Sequence, residues 1–211
     1  MNTPKLRYEM EGVRVVILLM SVIHQVTELG LRWRNTVKGY GILSMLFHWL
    51  MLLLLVAVYA TMEFKSNYPR GSAGRESLAV WHYTLGLSVF VLVWLRLLIQ
   101  SFGSSPAIDP PPPAWQIKLA RYMHWTLYLL LIGLPLLGWL VLSAKGTPIP
   151  FFGIELPALI DKSESLAKGL KQIHEAIATA GYFLIGAHAC AALYHHYVQR
   201  DNTLRLMSPL R

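Results

Sequence analysis

The chain has 211 residues, of which 55% are hydrophobic and only 14% charged, with a mean hydropathy of +0.44. That balance excludes an ordinary soluble domain. Nineteen Lys and Arg against eleven Asp and Glu leave a formal charge of +8, but no basic helix or aromatic RNA-binding motif accompanies the excess. It reads as juxtamembrane charge, not as a nucleic-acid surface.

Residues 1–40 read as an N-terminal extension, interfacial or disordered. Within it Val13–Val26 is apolar but short, bounded by Arg14 and Glu28 and interrupted by His24 and Gln25. It fits a helix lying in the membrane interface better than a span, and it lacks a small-residue cleavage site, so it is expected to stay attached. Residues 41–211 form the second unit. Gly41–Met62, Leu78–Leu95, Tyr122–Ala144 and Ala176–Gln199 contain no Asp, Glu, Lys or Arg, and each reaches the ~18 residues expected of a membrane span. Backbone amides inside lipid must be satisfied within the segment, so these are helices. The fold class is all-α, an integral membrane four-helix bundle.

Between the second and third spans, residues 103–113 (GSSPAIDPPPP) form a stiff extended connector that cannot be helical. Trp115 then opens the third helix, with Lys118 and Arg121 in its first turns. A longer loop, about Lys145–Lys171, carries Pro148, Pro150 and Pro157 and then a charged helical piece. The tail after Gln199 is short and polar. An even number of spans puts both termini and the proline connector on one side. That side holds twelve of the nineteen Lys and Arg, among them Arg96, which reads as facing lipid headgroups. The positive-inside bias therefore predicts cytoplasmic termini in a bacterial inner membrane. Cys190, alone in its type, excludes an intrachain disulfide and a CxxCH attachment, and reads as a small packing residue.

Seven of the eight histidines lie in or at the mouths of the spans: His48, His82, His124, His174, His188, His195 and His196. Ionisable groups at membrane depth are costly and usually functional. His174 and His188 are fourteen residues apart, almost four whole helical turns, so they share a face roughly 21 Å apart at ~1.5 Å per residue. Matching depths pair His48 with His188 and His82 with His174. Each pair suits an iron bound from both axial sides, with no site left open for substrate. Small residues accompany them, Ala178, Gly181 and Ala192 on the His174 face and Gly86 one turn after His82. His195, seven residues after His188, is a rival ligand. His124 and His195 read either as interfacial anchors or as the donors of a quinone pocket, since quinone carbonyls need hydrogen-bond donors and protons.

From about Gly41 to Pro209 the chain resembles the bacterial cytochrome b561 family. The matching stretches are Phe47 to Trp49 (FHW), Met62 to Phe64 (MEF), Tyr68 to Arg70 (YPR) and Tyr128 to Gly138 (YLLLIGLPLLG). Longer still are Gly181 to His188 (GYFLIGAH), His195 to Tyr197 (HHY) and Asp201 to Leu204 (DNTL). The similarity is greatest to small stand-alone members described as superoxide oxidases. It implies four inner-membrane helices and two haems b held at His48, His82, His174 and His188. It further implies electron flow from superoxide at the periplasmic face to ubiquinone near the cytoplasmic side. Arg70, Lys145 and Lys168 are the candidates for steering superoxide. A second reading is an electron-carrying membrane anchor for a partner dehydrogenase or hydrogenase. A third, a histidine-lined metal transporter, is disfavoured because no carboxylate lies within the spans.

Overall fold

The computed structural model describes residues 33–208 together with residues 13, 14, 16–18, 20 and 21. Four long helices carry the fold: α1 (Ile42–Lys65), α2 (Ala73–Ser101), α3 (Ala114–Lys145) and α4 (Glu164–Tyr197). All four are long and apolar enough to cross a membrane. Between α3 and α4 stands an antiparallel hairpin of β1 (Pro150–Phe151) and β2 (Ile154–Glu155), and after α4 comes a single turn, α5 (Thr203–Leu206). The described part of residues 13–21 is helical and exposed, and the rest of the Val13–Val26 segment lies outside the described residues.

The helices outrun their uncharged windows because their ends are satisfied locally. Ser72 caps α2, its hydroxyl accepting from the Arg75 N–H at 3.4 Å. Arg75 also donates through Nη1 to the carbonyls of Lys65 (2.8 Å) and Tyr68 (3.0 Å), satisfying the end of α1. At the end of α3, Gly146 takes φ 65°, and the Thr147 N–H closes back on the Leu142 carbonyl at 3.2 Å. Pro135 sits inside α3 without ending it. Large apolar side chains such as Leu129, Phe183 and Leu53 point outward at 73, 75 and 66% exposure, as surfaces wetted by lipid do and surfaces facing water do not.

Consecutive helices pack as neighbours, α1 on α2, α2 on α3 and α3 on α4, whereas no Cα of α1 lies within 8 Å of α4. Side chains bridge that wider seam. Tyr59 of α1 donates to the Ala178 carbonyl of α4 at 2.9 Å, and Tyr182 of α4 to Glu63 Oε1 at 2.6 Å. The two tyrosine rings lie 4.3 Å apart. Gly181 makes room for this, because a Cβ there would collide with the Tyr59 hydroxyl. The central core is Met51, Val89 and Val93, packed by Leu54, Val58, Tyr128 and Leu131.

In the 145–171 segment the expected charged helical piece is the start of the last long helix at Glu164, and the loop before it holds an unexpected short hairpin. The hairpin is seated by buried Ile149 on Leu87 and Leu142, and by the Trp139 Nε1 bond to the Pro157 carbonyl at 3.0 Å. At the opposite end the proline connector is non-helical, as its composition predicts, and is stitched to the tail. Asp109 N–H donates to Asn202 Oδ1 at 3.0 Å and Asn202 N–H to the Asp109 carbonyl at 3.1 Å. The residues just before α1 also belong to this end. Asn35 Oδ1 accepts from the Gly41 N–H at 2.9 Å, and the Val37 carbonyl accepts from the Ala107 N–H at 3.2 Å.

Candidate functional site

The histidines gather at two levels. At the hairpin end, His82 of α2 and His174 of α4 face each other with ring centroids 6.2 Å apart and planes at 74°. His174 lies ten residues inside α4, deeper than its uncharged window suggests, because the helix begins at Glu164. At the connector end, His48 of α1 and His188 of α4 stand with centroids 6.3 Å apart and planes at 65°. The residues paired by depth are neighbours in the structure, their rings in edge-on contact.

The rings are held in defined poses. His82 Nδ1 lies 3.1 Å from the Val58 carbonyl and 3.4 Å from Thr61 Oγ1, which fixes the ring. Beside His174, Gly138 of α3 offers a bare backbone: a Cβ there would sit 3.4 Å from the imidazole Cε1. The His174 Nδ1 is buried without a well-formed hydrogen bond, with the Leu134 backbone nearby.

His124 of α3 belongs to the connector-end level, its ring centroid 5.4 Å from that of His188. His195 does not meet it. Two turns beyond His188, its Nδ1 is engaged by buried Asp201 at 2.6 Å. Asp201 also accepts the Thr203 N–H at 2.9 Å. Burial alone raises the Asp201 carboxyl, but these bonds from Thr203 and His195 outweigh it and hold the group below its ordinary 3.8. Of the two residues considered for a quinone pocket, His124 thus stands beside His188, and His195 lies near the same end of α4, held by the tail.

Arg96 turns inward rather than to lipid headgroups. Its Nε donates to the Tyr128 hydroxyl at 3.3 Å, and it lies within electrostatic reach of His48, His124 and His188. At the hairpin end, Lys65 lies in the field of Arg75, Lys145 and Lys171. Of the three steering candidates, Lys145 lies in this group. Arg70 and Lys168 are exposed and make no ion pair or side-chain hydrogen bond among the described residues. The reason is geometric: Arg70 lies in the turn between α1 and α2, whereas Lys65 and Lys171 lie on the helices that frame the His82–His174 level. A fourteen-residue step would have found Arg96 from the sequence, since it follows His82 as His188 follows His174. The partners of Asp201 and Lys65 depend on how chain ends and loops fold back, which no local spacing reveals.

A helical membrane bundle with histidines facing in pairs across its seams defines the class: a carrier of bound redox groups between membrane faces. The family model for prokaryotic cytochrome b561 matches residues 39–209. "Cytochrome b561 homolog 1" of Escherichia coli is 43% identical over 164 residues, covering 78% of this chain and 93% of that protein. "Probable superoxide oxidase CybB" of Yersinia pestis is 38% identical over 172 residues, covering 82% and 97%. "Cytochrome b561 homolog 2" of Escherichia coli is 27% identical over 174 residues, covering 82% and 93%. The chain belongs to the prokaryotic cytochrome b561 family, membrane electron-transfer proteins that bind haem b.

The paired residues fit such a group. With about 2.0 Å from metal to nitrogen and about 1.1 Å from that nitrogen to the ring centroid, two imidazoles on opposite sides of one metal have centroids roughly 6.2 Å apart. The pairs stand at 6.2 and 6.3 Å. The His124–His188 separation of 5.4 Å is too short for that arrangement.

Proposed function

We propose that residues 41–211 hold two haems b, one between His82 and His174 and one between His48 and His188, and that residues 1–40 are an extension of this unit. The observation that carries the proposal is the pair of ring separations, each matching two imidazoles on a single metal. When bound, haem would supply reversible one-electron transfer. The protein's part is to fix the imidazoles, exclude water and set His174 and His188 about 21 Å apart along α4.

We further infer that the electron donor is superoxide and the acceptor ubiquinone. The name printed for the Yersinia relative supports this direction. So does the cationic group of Lys65, Arg75, Lys145 and Lys171 near the His82–His174 level, which keeps a positive excess to attract a small anion although Lys171 is paired with Glu175 at 2.7 Å. Two superoxide anions each give up one electron and leave as oxygen, while the quinone takes two electrons and two protons. At the other end His124 and His195 supply polar N–H groups, and His195, gripped through Nδ1 by Asp201, has its Nε2 available to a quinone carbonyl. The twelve cations on the connector side orient that end and both termini to the cytoplasm of a bacterial inner membrane.

The test is purified protein in detergent with a short-chain ubiquinone and an enzymatic superoxide source. Superoxide-dependent quinol formation by the isolated chain is the expected result. A protein inert until a dehydrogenase is added would overturn it in favour of an electron-carrying anchor.

A further inference from the structure

A guanidinium half-buried in a membrane bundle with no anion beside it is an unfinished ion pair. Arg96 lies fourteen residues after His82 on α2, at the level of His48 and His188 and within electrostatic reach of both. Its visible partners are neutral. Nε donates to the Tyr128 hydroxyl at 3.3 Å, and that hydroxyl donates to Gln100 Oε1 at 2.6 Å, so the chain ends in an amide and not a carboxylate. Nη1 is buried and has no hydrogen-bond partner. Among the described residues the only ion pairs are Lys171–Glu175 and His195–Asp201, so none reaches Arg96. Arginine does not shed its proton in proteins, and an unpaired buried charge is strongly destabilising. The remaining resolution is an anion brought by a ligand.

We propose that Arg96, steadied by Tyr128 and Gln100, anchors a carboxylate of the haem held between His48 and His188, and that it thereby keeps the potential of this haem higher. The inference rests on the two-haem reading above. Haem b carries two propionate carboxylates on one edge, and a planar guanidinium matches a carboxylate with two parallel N–H donors. A quinone head group is uncharged and would leave the arginine unpaired. The phosphate of a lipid headgroup is the other anion within chemical reason, and the test separates the two. Arg96 is a positioning residue in this scheme: it orients the group and biases it electrostatically, because a fixed positive charge near the iron favours the reduced state.

The experiment compares wild type, Arg96→Gln and Arg96→Lys as purified holoproteins, by haem-to-chain ratio, optical redox titration and bound-phospholipid assay. Arg96→Gln is expected to fall from two haems towards one on size exclusion, and whatever haem remains between His48 and His188 titrates at a lower potential. Arg96→Lys keeps the charge and both haems, but its point charge in place of the fork shifts the potential of the His48–His188 haem while that of the His82–His174 haem stays put. If Arg96→Gln does not accumulate, the Arg96→Lys titration decides alone. Two haems at unchanged potentials in either variant overturn the proposal, as does loss of bound phospholipid with unaltered haems. A wild-type protein without haem refutes the underlying two-haem reading instead.

Discussion

Replacing Asp201 by alanine tests whether the tail holds His195 in place. The Asp201 side chain is 2% exposed and accepts two bonds, from His195 Nδ1 at 2.6 Å and from the Thr203 N–H at 2.9 Å. A bond to an ionised acceptor contributes about 1.5–3 kcal/mol and a neutral-type bond about 0.5–1.5 kcal/mol. The His195 side chain is 19% exposed, so water recovers part of the loss, and the expected cost is about 2–4 kcal/mol. The measurement is heat- or SDS-induced unfolding in detergent from pH 7 downwards. The carboxyl is held below its ordinary 3.8 in the folded protein, so its stabilisation is complete above that value and is lost as pH falls through the lowered folded one. The gap between wild type and variant should therefore be full at neutral pH and close in acid. Asp201→Asn, which can still bond both partners once His195 shifts its tautomer, should lie near wild type at pH 7 with a flatter acid limb. An alanine variant as stable as wild type at pH 7, or a gap that persists in acid, would refute the reasoning.

Neutralising Lys65, Lys145 and Lys171 together to Gln should slow superoxide-driven quinone reduction on the order of tenfold at low salt and remove most of its ionic-strength dependence. Arg70→Gln with Lys168→Gln should leave both nearly unchanged, and the opposite ranking in stopped-flow measurements would move the entry site. Gly181→Ala drives a methyl into the Tyr59 hydroxyl and onto Leu130, costing about 1–3 kcal/mol in unfolding assays. Gly186→Ala meets open space and should be neutral or stabilising by up to about 1 kcal/mol. Equal effects of the two would contradict the packing of the α1–α4 seam.

The bundle was legible because lipid imposes one rule on every span: apolar side chains outside, helical hydrogen bonds within. His174 and His188 could be paired with partners from other helices because a helix turns uniformly, so depth follows from counting residues. The same count places Arg96 at the His48–His188 level, yet basic residues near helix ends normally reach for headgroups, and composition alone did not tell this one apart. The hairpin at 150–155 escaped notice since two-residue strands leave no periodicity to read. Convergence of Lys65 with Lys145 and Lys171, and of Asp201 with His195, arises from chain reversals whose geometry is set by tertiary packing. No pattern along the chain encodes that.

The central claim is that two histidine pairs each clamp one haem, and it is tested most directly by counting haem per purified chain, with reduced-minus-oxidised spectra, in wild type, His188→Ala and His195→Ala. The account predicts two haems in wild type, one in His188→Ala and two in His195→Ala. A full complement in His188→Ala, with one haem missing from His195→Ala, would contradict it.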